Sequence, residues 1–291
     1  MEGIEVVANS PTVLKRWIAF ELRKLRERNG LSREDAARVT RGSVPNIGHI
    51  ENGRSLPGPL ELEKLLELYG VPERYEFWLE LRTRAKKGTD WWIGLGDSVP
   101  DYFNLFLGLE SCAVQIESWD AHVVPGLFQT PDYARAVIRG GEPGREDSDV
   151  DRRVELRMGR QHEVLDDGDA PAIWAVMSEA ALRCLIGGPE SMRAQANRLI
   201  ELAERPNIDI QVLPFSAGAH TGVEGTFTLL TFPSELENDP GAVFAETKVK
   251  GYYYEEPEQI MRYRNALARL RVQAIKPADS PTFIRRMRKE L

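Results

Sequence analysis

Apolar residues recur at helical spacing through the first third of the chain. Leu14, Ile18, Leu22 and Leu25 predict a helix over about 13–28, stopped by Asn29-Gly30. Residues 1–12, ending at Ser10-Pro11, read as a disordered tail. Two short helices follow within residues 31–53. Ser32, three residues before Asp35, is a capping signature for the first, and Ala36, Ala37 and Val39 give it a small-residue inner face. Thr40-Arg41-Gly42 makes the turn, with Gly42 expected to take the positive φ of a sharp reversal. Ser43 caps the second helix and Pro45 sits in its first turn, where a missing N–H costs nothing. Ile47 and Ile50 point inward, Val44, Asn46, Gly48 and His49 point outward, and Gly53 ends the helix. Leu62, Leu65, Leu66 and Tyr69 predict a fourth helix from Pro59. Phe77, Trp78 and Leu81 predict a fifth, from Pro72 to Lys87.

The pattern changes after residue 88. Residues 89–110 mix Gly, Asp and Pro with Trp91, Trp92, Tyr102, Phe103, Leu105 and Phe106; they read as a loop whose aromatics pack between domains. From 111 to 291 strands and helices intermingle. Val114, Ile116 and Ser118 alternate with Gln115, Glu117 and Trp119. Further strands are expected at 172–177, 207–213, Phe227–Phe232, Ala242–Thr247 and Lys250–Tyr254. Thr130-Pro131-Asp132 opens a helix, and others span about 150–165, 189–205, 257–275 and 280–291. Without a steady βα alternation, this predicts an α+β domain with a mainly antiparallel sheet, behind an all-α five-helix domain over 13–88.

Composition keeps the reading within soluble, cytoplasmic proteins. Of 291 residues 42% are hydrophobic and 29% charged, Cys112 and Cys184 stand in no metal-like spacing, and the acidic N-terminus lacks the pattern of a signal peptide. No stretch approaches the ~20 apolar residues of a membrane span, so no membrane is expected. The net charge of −7 is unevenly spread. Residues 15–87 carry 16 Lys and Arg against 11 Asp and Glu, whereas 88–291 carry 22 against 32. A basic head on an acidic body suits a chain whose head alone meets phosphate.

Two short helices around a tight turn, with a Ser-capped second helix, are the grammar of a helix-turn-helix, whose second helix enters the DNA major groove. Leu31-Ser-Arg-Glu-Asp-Ala-Ala37 and the run Ile47 to Arg54 resemble the helix-turn-helix of XRE/Cro/C1-type regulators. The turn departs from that family's pattern, because Thr40-Arg41-Gly42 replaces an apolar plug. Behind it, Val124-Pro-Gly-Leu-Phe-Gln-Thr-Pro-Asp-Tyr-Ala-Arg-Ala-Val137, Glu179-Ala-Ala-Leu-Arg183, Gly187-Gly-Pro189 and Val212-Leu-Pro-Phe-Ser-Ala-Gly-Ala-His220 resemble the uncharacterised C-terminal domain of the actinobacterial antitoxin-like (WhiJ-like) class. That resemblance implies a transcriptional regulator and a small partner protein encoded nearby.

The outward residues give the candidate contacts with double-stranded DNA. Asn46 can read adenine bidentately and Val44 can touch a thymine methyl. His49 either donates to a base or phosphate, or stands as a solvated surface histidine. Ser32, Arg33, Arg41, Ser43 and Arg54 are placed to hold the backbone. A homodimer would set two recognition helices about 34–36 Å apart on a near-palindrome. The second domain would then bind the partner protein or a small-molecule effector. The alternative is an antitoxin-like module that sequesters its partner, with DNA binding secondary or lost. Catalysis is not expected. None of His49, His122, His162 and His220 has zinc spacing, and neither a Gly-x-Ser-x-Gly elbow nor a phosphate loop is present. No cofactor or metal is implied, and Gly218–Gly222 reads as a strand connection sooner than an anion cradle.

Overall fold

The computed structural model describes residues 10–88, 90, 92, 99–166, 170–233 and 239–291. These fall into two compact units, one from the described residues of Met1–Ile93 and Pro233–Asp239, the other from those of Gly94–Phe232 and Pro240–Leu291. Most of the tail expected over 1–12 lies outside the described residues. Its end does not: Ser10 caps the first helix, which starts at Pro11, two residues earlier than the apolar spacing predicts.

The first unit is helical: α1 (Pro11–Arg28), α2 (Arg33–Thr40), α3 (Val44–Glu51), α4 (Pro59–Leu68) and, after a 3-10 turn at Pro72–Arg74, α5 (Tyr75–Lys87). Leu14, Trp17, Ile18 and Leu22 of α1, Ile47 and Ile50 of α3, Leu62, Leu65 and Leu66 of α4, and Trp78 and Leu81 of α5 are buried together as its core. The indoles of Trp17 and Trp78 pack at a tilt with centroids 5.0 Å apart. Each such side chain contributes ~1.5–3 kcal/mol when removed from water, so this seam holds α1 to α5.

The second unit opens with α6 (Asp101–Ser111), where the sequence predicts a loop. Its Phe106 ring lies 4.4 Å from Phe244 and its Phe103 ring 6.1 Å from Phe244, so these aromatics belong to the second unit's core. Trp91 lies outside the described residues. Six strands form one sheet: β1 (Gln115–Asp120), β2 (Ala172–Ser178), β3 (Ile208–Leu213), β4 (Phe227–Thr231), β5 (Ala242–Glu246) and β6 (Gly251–Tyr254), in the order β3-β2-β1-β4-β5-β6.

The sheet is mixed. Gln115 of β1 pairs in parallel with Ala172 and antiparallel with Thr231; β2 and β3 are also parallel, while β4, β5 and β6 run antiparallel. The expectation of a mainly antiparallel sheet therefore describes one side of it. Parallel neighbours need long crossovers, and helices supply them. The chain passes from β1 to β2 through α7 (Pro131–Gly141) and α8 (Asp147–Leu165). It passes from β2 to β3 through α9 (Ala180–Arg183) and α10 (Gly188–Leu202). The chain ends in α11 (Pro257–Gln273) and α12 (Ser280–Lys289).

Both sheet faces are covered, which is why β1 is buried from Ile116 to Asp120 and loses the alternation expected of it. On one face Trp119, Val176, Leu229 and Val243 pack with Ile260, Leu267 and Leu270 of α11. Trp119 Nε1 donates to the Gly222 carbonyl at 2.8 Å, and a Cβ on Gly222 would lie 2.3 Å from that nitrogen, so only glycine fits there. Gln129, Gln161 and Gln195 tie down the turn at Gly126–Phe128 by donating to the Val124, Gly126, Gln129 and Phe128 carbonyls at 2.7–2.9 Å. The first part of the distinctive run, Val124 to Gln129, is thus a largely buried, hydrogen-bonded turn.

Candidate nucleic-acid interface

Both short helices are set by their caps. Asp35 N–H donates to Ser32 Oγ at 3.2 Å while Ser32 N–H donates to Asp35 Oδ2 at 2.9 Å, closing the capping box of α2. The two hydrogen bonds from Ser32 hold the exposed Asp35 carboxyl below its ordinary range. At the start of α3, Asn46 N–H donates to Ser43 Oγ at 3.2 Å and Ile47 N–H to the Ser43 carbonyl at 3.1 Å. Ser32 and Ser43 thus have their hydroxyls engaged in holding the helix starts.

The turn differs from its expectation. Arg41, at φ +54°, takes the left-handed conformation that the sequence assigns to Gly42. The reason is positional. Helix α2 ends at Thr40, so the residue next to it must reverse the chain, and Gly42 N–H then returns to the Ala37 carbonyl at 3.0 Å. A left-handed arginine carries ~1–2 kcal/mol of strain. Val39, expected inward, is 36% exposed, because Ala36 and Ala37 already fill the contact with α3.

Behind α3 stands an ionic anchor that sequence reasoning missed. The Glu51 carboxylate, 1% exposed, accepts from Arg26 Nε at 2.6 Å and Nη2 at 3.0 Å, and from Arg33 Nε at 2.8 Å. Burial raises its pKa, but the hydrogen bonds and charges of the two arginines outweigh this and hold it below the ordinary carboxylate range. The signal was present as a glutamate in the last turn of α3, beside two inward isoleucines. Arg33, assigned to the DNA backbone, therefore spends one face of its guanidinium fixing α3.

Of the three base-reading candidates, His49 is exposed and Val44 and Asn46 are half-buried at the N-terminal part of α3. Asn46 Nδ2 donates to Glu61 Oε1 at 2.7 Å, and Gly58 N–H donates to Glu61 Oε2 at 3.1 Å. Bidentate reading of adenine needs both the oxygen and the amide of Asn46, so it requires this bond to open. Arg41 and Arg54 are exposed on either side of α3, and the backbone N–H of Arg54 donates to the His49 carbonyl at 2.9 Å. The interface thus gathers Val44, Asn46 and His49 on one helix, flanked by Arg33, Arg41 and Arg54.

The glycine-rich loop of the second unit is a packed connection. His220 Nδ1 accepts from Gly222 N–H at 3.1 Å, and its ring lies edge-on to Trp119 at 5.1 Å. No helix among the described residues is long and apolar enough to cross a membrane.

Two family models match the sequence. One, described as a helix-turn-helix domain, matches residues 17–76, which span most of α1 through the start of α5. The other, described as a domain of unknown function (DUF5753), matches residues 103–286, which run from α6 into α12. No curated protein and no solved structure matches the chain.

Proposed function

The chain belongs to the DUF5753 family and carries a helix-turn-helix domain ahead of that domain, and on this premise we propose that it is a sequence-specific, repressor-type transcriptional regulator of the XRE kind. One observation carries the reading. The Ser43-capped helix α3 is fixed from behind by Glu51, and its front presents Val44, Asn46 and His49 between exposed Arg41 and Arg54. Phosphate contacts from Arg41 and Arg54, with Arg33 behind them, supply affinity, and α3 supplies the choice of site. The strain at Arg41 supports its assignment. A glycine would hold that backbone without cost, and strained positions that keep a charged side chain cluster at functional sites. A homodimer brings two copies of α3 to adjacent major grooves, and the C-terminal domain receives a partner protein or small effector that shifts the DNA-competent population.

A second reading, the antitoxin-like module with weak DNA preference, is favoured by one fact. Helix α3 has neither Lys nor Arg on its front, and its best reader, Asn46, is held by Glu61. Fluorescence anisotropy with the DNA upstream of its own gene, against a scrambled duplex and across a salt series, separates the two. Regulator behaviour is a preference for the native duplex that survives rising salt. Asn46→Ala should then erase ~1–3 kcal/mol of discrimination, whereas Arg54→Ala should weaken both duplexes alike and reduce the salt slope by about 1. Equal, salt-labile binding of both duplexes by the parent would leave only the module reading.

A further inference from the structure

We propose that the arginine-lined cavity of the C-terminal domain binds a small oxyanion, a phosphate or a carboxylate, as free ion or as the head of a small molecule. The cavity is about 100 Å³ and is lined by Tyr102 and Phe103 of α6, Arg153, Arg157 and Arg160 of α8, and Glu246 at the end of β5. The three arginines stand at i, i+4 and i+7, so one helix face aims all of them into the same space. The cavity volume suits an oxyanion and is smaller than the ~300 Å³ or more of a pocket that encloses a drug-sized ligand.

Charge compensation around the cavity is incomplete. Arg160 is satisfied by a two-pronged pair with the buried Glu110, Nη2 donating to Oε1 at 2.8 Å and Nε to Oε2, and it also lies over the Phe106 ring at 5.1 Å. Among the described residues Arg153 pairs with Glu142, at 3.5 Å, and its buried Nε has no hydrogen-bond partner. Arg157 donates to Gln129 Oε1 at 2.6 Å and pairs with no carboxylate among the described residues. Burial, with the charge of Arg160 next, lowers its pKa to about 10. Glu246 accepts instead from the Tyr102 hydroxyl at 2.9 Å and is exposed. Two half-buried guanidinium groups around the cavity, one with a buried donor left unused among the described residues, are the complement of an anion that brings the missing charge and acceptors.

This names a chemical class for the effector proposed above and rests on that reading only for its regulatory consequence; binding stands apart from it. Isothermal titration calorimetry on the full chain, with inorganic phosphate and with acetate at matched ionic strength, tests it. Saturable binding of either ion is expected, and the stronger of the two identifies the preferred head group. Arg153→Gln, a partly exposed site, should weaken it at least tenfold. Glu246→Gln, which removes a competing charge from the mouth, should tighten it. Arg54→Ala, on the helix-turn-helix, should leave it unchanged. Absence of heat with both ions, equal affinity in Arg153→Gln, or loss in Arg54→Ala would overturn the assignment. Anisotropy with and without the bound ion then reads the regulatory link separately, so failure of DNA binding leaves the site's own result intact.

Discussion

Glu51 in the helical unit and Asp120 in the C-terminal domain are both buried carboxyls, and their surroundings treat them in opposite ways. In the helical unit, one carboxylate, Glu51, meets two arginines, and its pKa falls below the ordinary range. In the C-terminal domain the carboxyl of Asp120, on the central strand, has Ser118 Oγ donating to it at 2.6 Å and no ion pair among the described residues; burial pushes its pKa up to about 7. In the same domain burial, with the charge of Arg160 next, displaces the pKa of Arg157 downward. A compensated buried charge is a fastener, whereas an uncompensated one is a standing cost that folding must absorb elsewhere. Perturbation toward neutrality is found at Asp120 and Arg157 of the C-terminal domain, and perturbation toward charge at the anchor behind α3.

The comparison breaks most visibly at its fastener. Glu51→Ala strands Arg26, whose side chain is 9% exposed, and should cost ~3–5 kcal/mol, read as a lowered midpoint in urea together with loss of DNA binding. Next in size is Asp120→Asn, which should stabilise the chain at pH 8 by on the order of a few kcal/mol. The sign follows from the raised pKa. The folded chain holds a proton there that the unfolded chain has released, so stability falls as pH rises from about 4 to about 7. Melting temperature against pH should show a shallower fall in Asp120→Asn than in the parent. Glu51 acts in reverse, giving stability that is present above the ordinary carboxylate range and lost on acidification. Smallest is Ser43→Ala, expected to cost ~1 kcal/mol through the lost cap while leaving both pH slopes in place.

Legibility followed the range of the interaction. Caps at Ser32, Ser43 and Thr130 were readable because each acts on a backbone N–H three residues away. The helix from Asp101 was not, since its aromatics carry no clean period and are ordered by Phe244, far along the chain. The parallel half of the sheet was hidden for a related reason, as two strand–helix–strand units precede an antiparallel run and dilute the alternation. Among site residues, the positions of Val44 and His49 could be read from helical phase. The bond from Asn46 to Glu61 could not, because it joins two helices. Arg153, Arg157 and Arg160 look in sequence like a solvated charged face, and only the placement of α6 and β5 turns that face into a cavity wall.

Strand β1 carries a consequence for how the domain is made. Its register is shared with Ala172–Met177 on one edge and Phe227–Thr231 on the other. During synthesis the first edge can be satisfied once β2 has emerged, but the second waits for the hairpin-like half still inside the ribosome. Until then the open edge of β1, six residues long, offers its free backbone groups to any passing strand. The nascent chain is therefore most exposed to aggregation after β3 and before β4, and closure of the seam at β1, with its distant partners and long loops, sets the pace of folding.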